Sequence, residues 1–314
     1  MSTFDLSTST ASTLSAVDLS KLPFPEFLAD KDYETILAEM IADVNDFCLK
    51  KTGQPYIAHE ADPAYIVLEA CAYRRWMDIK DYQAQVKNNL VAYATGEWLD
   101  HLGANPDFKC PRLTTVPADD TTTPPTEAVM ESDDAYRARL VLTNEGYTTA
   151  GSAGSYLYHA LSADGDVRDA SVQSPVPGQV LVSIMSHSAN GVASASLIAV
   201  VQSVLSGETV RPLCDSVSVQ AATVSNYSVS IAITTYPDVD VIDAVSRSKL
   251  SVEMYCETHR RIGHDITRAG IIAAAMIFGV QNVALSAPSA DLITDLSTVR
   301  RCTSVTVSHA EVAL

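Results

Sequence analysis

Positive charge is scarce in this chain. Lys and Arg number 21 against 38 Asp and Glu, a net charge of −17. Unpaired negative charge repels phosphates, so nucleic acid is not an expected partner, and an anionic membrane surface is disfavoured for the same reason. No apolar run reaches the ~18 residues that would read as a membrane-spanning helix. The opening stretch, Met1 to Pro23, lacks both a basic segment and a continuous apolar one, so no secretory signal is expected. Cysteine is thinly spread. Cys48, Cys71, Cys110, Cys214, Cys256 and Cys302 stand with no two within twenty residues of each other, which excludes CxxC redox and zinc-knuckle spacing. Free thiols made in a reducing cytoplasm are the expectation. GxSxG, P-loop and dinucleotide glycine fingerprints are also missing.

The 314 residues suffice for two or three domains, each able to bury a core. The dominant stretch is Asp62 to Gly103. Asp62 can cap a helix and Pro63 suits its first position. Tyr65, Leu68, Ala72, Trp76, Ile79, Tyr82, Val86, Leu90 and Tyr93 follow at steps of three or four, the period of a helix packed along another helix. Gly96 is the expected terminator, which predicts a helix on the order of 50 Å long. An earlier helix is predicted over 31–51, capped by Asp30 or Asp32 and closed by Gly53. Its seam is Tyr33, Leu37, Met40, Val44 and Phe47. Two narrow-seamed helices imply a bundle, completed by this chain or by others.

The flanking segments differ. Residues 2–20 are Ser/Thr-rich with little apolar density, and Leu19 to Leu28 reads as an extended arm. Residues 106–126 are rich in Pro and Thr, a linker or β-arm, followed by a short helix capped by Ser132 or Asp133. From Ala150 onward helices and strands mix. The expected order is a helix over 152–163, a hairpin of 167–173 and 180–185, a helix from Ser194, and a strand through Val217, Val219 and Ala221. Then come the alternating strand 226–236, a helix from Asp240, another capped by Asp265, and strands over 280–286 and 303–308. The expected fold class is α+β and multidomain. An N-terminal arm (1–30) leads to a long-helix bundle region (31–105), a linker with a short helix (106–149) and two small α+β domains (150–222 and 223–314).

Candidate chemistry is thin. His59, Glu60 and Asp62 sit at a helix start, where acids serve as caps. His259, His264 and Asp265 do not have helical ligand spacing, and Gly263 interrupts them. Asp238, Asp240 and Asp243 resemble the start of a calcium loop, but its glycine and terminal glutamate are missing. His159 on an apolar helix face reads as a hydrogen-bonded core histidine. No catalytic, metal or cofactor site is assigned.

Several segments together resemble the baseplate J-like family of contractile-tailed bacteriophages. They begin with Asp62-Pro63, Leu68-Glu69-Ala70 and Ala72-Tyr73-Arg74. Ala92-Tyr93-Ala94-Thr95-Gly96 and Leu99-Asp100-His101-Leu102 follow. Glu131-Ser132-Asp133-Asp134, with Arg137 and Arg139, comes next. Beyond it lie Ala150-Gly151, Tyr156 and His159-Ala160-Leu161-Ser162-Ala163. Asp169-Ala170-Ser171-Val172, Ser174-Pro175, Pro177-Gly178, Val180, Arg211-Pro212-Leu213 and Asp215 complete the series. The order and spacing of these segments carry the resemblance. Glu97-Trp98 and Ser152-Ala153 depart from the family pattern.

The resemblance implies a structural role. Family members are wedge components of the tail baseplate, two copies joining one I-like wedge protein, with six wedges closing a ring around the central hub and sheath-initiator proteins. Assembly in the host bacterial cytoplasm and residence in the virion tail baseplate are implied with it. On this basis Tyr65, Leu68, Ala72, Trp76, Ile79, Val86 and Leu90, with Leu37, Met40 and Val44, are expected to build an inter-chain bundle, and residues 223–314 to carry the ring contact. The same part in a tailocin or other contractile injection system fits equally. The alternative of a different class is a soluble hydrolase with a site of scattered acids.

Overall fold

The computed structural model describes residues 19, 22–25, 30–121, 123–149, 151–188 and 190–312. Most of the Ser/Thr-rich stretch expected over 2–20 and much of the arm ending at Leu28 lie outside the described residues. The chain divides into two compact units, one over Val17–Lys109 and the other over Cys110–Leu314. The fold is α+β, with a helical N-terminal region followed by small sheet-containing lobes.

The N-terminal unit is built on a helical pair. Helix α1 spans Tyr33–Thr52, capped by the Asp32 side chain accepting from the Thr35 amide (2.8 Å). Gly53, at φ 72°, closes it in the left-handed conformation, where a Cβ would be strained. Helix α2 spans Pro63–Asn88, with Asp62 accepting from the Ala64 amide (3.0 Å). Lys80, late in α2, pairs with Asp30 just ahead of α1, so the chain doubles back on itself. Ile36, Leu37, Ala72 and Ile79 are buried between the helices, flanked by Tyr33, Met40, Ile41, Tyr65, Leu68 and Trp76.

The long helix is shorter than its apolar stripe predicts. Its 26 residues make it roughly 39 Å long. Asn88 and Asn89, both weak helix formers, end it, and the Asn89 side chain donates back to the Gln85 carbonyl (2.9 Å). Leu90 and Tyr93 therefore lie in turns beyond the helix. Gly96, the expected terminator, instead opens α3, Gly96–Gly103. The described part of the arm reaches this turn, where Tyr93 donates to the Leu22 carbonyl and packs edge-on against Phe24 at 5.4 Å.

The second unit opens with a small antiparallel arm, β1 (Thr114–Val116) on β2 (Val129–Met130). Helix α4 (Asp133–Gly146) follows, capped by Ser132. The first lobe comprises α5 (Ala153–Ala163), β3 (Val167–Gln173), β4 (Gln179–Ser186), α6 (Ala195–Leu205) and β5 (Ser216–Ala221). Central β4 pairs antiparallel with β3 and parallel with β5. The core lies between this sheet and α5 and α6, around Tyr156, Val182, Ile184, Val201 and Leu205.

The second lobe holds β6 (Thr223–Thr235), α7 (Val241–Thr258), α8 (Arg268–Ala275), β7 (Val280–Ala287) and β8 (Thr298–Val312). Central β6 again pairs antiparallel on one side, with β7, and parallel on the other, with β8. Its core gathers Val229, Ile231, Ile233, Val252, Ile266 and Ile271. Asp265 does not cap α8. Thr267 does so by accepting from the Gly270 amide (3.1 Å), while Asp265 accepts from the Thr294 amide (2.7 Å). Ile266 is thereby drawn out of the helix into a bridge with Leu292.

Only Ala222, 2 % exposed, separates β5 from β6. Its amide donates to Ile184 in the first sheet, and the next amide, of Thr223, donates to Ser297 at the start of the second (both 2.8 Å). Met185, Ala222, Ile262 and Val299 close a small core where the lobes meet.

Candidate interaction surfaces

The helical pair leaves much apolar surface in solvent. On α1, Phe47 is 60 % exposed. On α2, Ile66, Val67, Tyr73 and Tyr82 are all exposed, and so is Trp98 on α3. Large apolar groups left open in this number mark contact surfaces more often than solvated ones.

The residues expected to form the inter-chain seam divide in two. Leu37, Met40, Tyr65, Leu68, Ala72, Trp76 and Ile79 meet one another across the α1–α2 pair of a single chain. Of these only Leu37, Ala72 and Ile79 are fully buried, and the others keep an open flank. Val44, Val86 and Leu90 are half-buried and outside that cluster. Phe47 and Tyr82, read as seam residues from their spacing, face outward. In α1 the inward line is Tyr33, Ile36, Leu37, Met40 and Ile41, so the expected Tyr33, Leu37 and Met40 keep their places, Ile36 and Ile41 widen the stripe, and Val44 and Phe47 fall outside it.

The residues of the acidic and arginine-rich segment before α4 form a clasp. Arg139 is 3 % exposed and pairs with Glu131 at 2.7 Å. It also donates to the Pro111 carbonyl (2.7 Å) and the Cys110 sulfur (2.9 Å). Burial acts to lower the Arg139 pKa, but the Glu131 bond and charge outweigh it and hold the guanidinium above its ordinary value. Tyr136, fully buried, donates to the Cys110 carbonyl (2.6 Å), with the Arg112 guanidinium stacked 4.7 Å from its ring centre. Arg112 in turn pairs with Asp133 at 2.7 Å. The Pro/Thr-rich segment is thus bound at its start to α4.

A second knot joins Gly151, Tyr156 and Asp215. Tyr156 donates to Asp215 at 2.9 Å, and burial, with the carboxylate beside it, pushes its phenol pKa well up. Gly151 sits at φ 76°, and a Cβ there would meet Asp215 and Pro212 at 2.8 Å. Arg211 donates to the Asp215 carbonyl (2.9 Å).

Several of the titratable groups considered for chemistry have structural partners. Asp240 caps α7 through the Ile242 and Asp243 amides. The His159 imidazole bonds the Gly146 carbonyl (3.2 Å), and burial lowers its pKa. The His259 and His264 ring centres are 6.4 Å apart, and His259 Nδ1 bonds the Tyr255 carbonyl at 2.9 Å. Among the described residues no group of three His, Cys, Asp or Glu is arranged to hold a metal ion. No helix among them is long and apolar enough to cross a membrane.

Between the lobes, Asp169 accepts from the Ile262 amide (2.8 Å) and the Ala170 amide (3.0 Å). Burial pushes its carboxyl above the ordinary range, against these bonds and the nearby Arg261 and Arg168 charges. Ser171 donates to the Leu296 carbonyl, and Arg168 pairs with Glu257 at 2.7 Å. Spacing along the chain carries no signal for these contacts.

Clasp, knot and lobe lock use residues of the segments that resemble the baseplate family, and known proteins match accordingly. The baseplate J-like N-terminal domain matches residues 60–119 and the baseplate J-like central domain matches 148–221. Baseplate protein J of Escherichia phage P2 is 41 % identical over 293 residues, covering 91 % of this chain and 95 % of that protein. The chain belongs to the baseplate J-like family. Glu131, Arg139, Tyr156, Asp169 and Asp215 thus acquire a physical role in a member of that family, which is to hold the fold.

Proposed function

We propose that the chain is a structural component of a phage tail baseplate and works by assembly, not catalysis. The observation that carries this reading is the 41 % identity to a baseplate protein across nearly the whole of both chains. The exposed apolar groups of the helical pair support it. Two copies join one I-like wedge protein, and their α1–α2 pairs form a shared bundle. The open flanks of Met40, Tyr65, Leu68 and Trp76, with Val44, Val86 and Leu90, build the seam between chains. Six wedges then close a ring, and residues 223–314 carry the ring contact. The assembled ring sits in the virion tail around the hub and passes the contraction trigger to the sheath. It is put together in the host cytoplasm.

Native mass spectrometry of the chain co-expressed with its I-like partner tests the bundle. A complex of two copies with one partner is expected. Leu90→Asp on the seam, or Val67→Asp on the outward face, is expected to abolish it while the α+β half stays folded. A lone monomer from the unmodified chain, or normal assembly of both variants, overturns the reading. Deleting 223–314 would open the core that Met185 and Ala222 share with Ile262 and Val299, so a surface change tests the ring better. Phe278 (88 % exposed), just before β7, and Ile242 (79 %), at the start of α7, are large apolar groups of the second lobe open to solvent. Phe278→Asp with Ile242→Asp is expected to leave separate wedges in negative-stain images, and closed rings would refute the ring assignment.

A further inference from the structure

Two thiols without a part in that assembly lie together in the second lobe. Cys256, buried on the last turn of α7, belongs to the lobe core, and half-buried Cys302 on β8 packs against the same core. Helix α7 lies along β8. Tyr227 on β6 is the cross-strand neighbour of Cys302, and its buried hydroxyl acts with Cys302 in lowering the Cys256 thiol. The β6–β8 register slips just beyond that pair, where Ser228 faces Ser304. The local packing is therefore less regular than elsewhere in the sheet. The thiols feel each other. Cys302 draws the Cys256 thiol down to about 7 against burial, while Cys256, helped by burial, pushes Cys302 up. One sulfur is disposed to be a thiolate beside a protonated neighbour, the arrangement that thiol–disulfide exchange uses.

We infer that Cys256 and Cys302 form a dithiol that closes to a disulfide when it meets a small-molecule disulfide such as oxidised glutathione. Cys302 is the more accessible and reacts first, handing its proton to the Cys256 thiolate as its sulfur bonds to one sulfur of the oxidant. The oxidant's S–S bond breaks, and the released thiolate takes up a proton from water. The Cys256 sulfur then displaces the second thiolate from Cys302, forming the Cys256–Cys302 bond, and that thiolate takes up the proton Cys256 had received. The pair loses two electrons, and the oxidant becomes two thiols. The bond ties α7 to β8 and closes a loop containing α8 and β7. It stabilises the lobe chiefly by restricting the unfolded chain. On the baseplate reading, closure follows release from a reducing cell. That timing rests on the baseplate reading, while the bond itself does not.

The test is peptide mapping of the full chain after oxidised glutathione, with remaining thiols blocked by N-ethylmaleimide under denaturing conditions. Expected are a cross-linked peptide pair holding Cys256 and Cys302, a mass lower by two hydrogens and a melting temperature raised until reductant is added. Cys302→Ser, a small change at a half-buried site, is expected to lose all three effects. Recovery of Cys256 and Cys302 as blocked thiols, or a bond from either to another cysteine, overturns the inference. A failed partner complex in the assembly experiment leaves this result untouched, so the two readings fail separately.

Discussion

Arg139 brings a full charge into a site where it is almost wholly out of water, and the surrounding groups were arranged around that charge. Glu131, itself only 11 % exposed at the side chain, neutralises it, and Pro111 and Cys110 take its remaining donors. Breaking a buried pair from one side is worse than never having it, because the abandoned charge stays behind. Arg139→Met is expected to cost about 3–5 kcal/mol in urea unfolding. Adding Glu131→Gln is expected to recover part of that loss. A loss under about 1 kcal/mol would show Glu131 regaining water and the clasp adding little. The residue types of this clasp were visible in sequence. Their pairing was not, because Glu131 precedes the Ser132 cap while Arg139 lies two turns into α4, and only the incoming 110–113 segment brings them into one site.

At the scale of elements, the α1–α2 pair turns on Ala72. It is completely buried between helices whose other contacts are mostly half-open. A larger side chain there must push the helices apart, and overpacking of this kind costs about 1–3 kcal/mol. Ala72→Leu is expected to lower the melting temperature of the N-terminal unit and, on the proposed assembly, to weaken binding to the proposed I-like partner at least tenfold by titration. Unchanged binding would mean that the closely packed pair is not what the partner recognises. Periodicity located both helices, Asp62 and Gly53 marked two of their ends, the first cap was narrowed to Asp30 or Asp32, and alternation located β6. The failures have separate causes. The stripe continued in phase through Leu90 and Tyr93, yet Asn88 and Asn89 stopped the helix, since apolar spacing reports which face is covered and says little about where hydrogen bonding ends. Asp265 looked like a cap, but the return of the chain through Leu292 and Thr294 drew it into another role.

At the scale of the whole second unit, the lobes are held by groups far apart in sequence, and Asp169 is the one whose charge matters most. Its folded pKa lies above the unfolded value because burial prevails. The native state therefore holds this proton longer than the unfolded chain does. The stabilisation it brings is complete below the unfolded pKa and is lost as pH rises through the folded one. Asp295, bonded by Ser297 and Thr298, has a lowered pKa and acts in the opposite sense, failing on acidification. The difference between wild type and Asp169→Asn isolates the first effect. Measured by urea unfolding upward from pH 4, that difference is expected to move steadily against the wild type. A constant difference would place the carboxylate in free contact with water.

A joint one residue long has a mechanical meaning. Ala222 gives the two lobes no slack, and its hydrogen bonds run into both sheets. A joint this short leaves little room for bending between β5 and β6. If the chain serves in a baseplate as proposed, the two lobes would act there as one stiff crank, and the give would lie at its bearings.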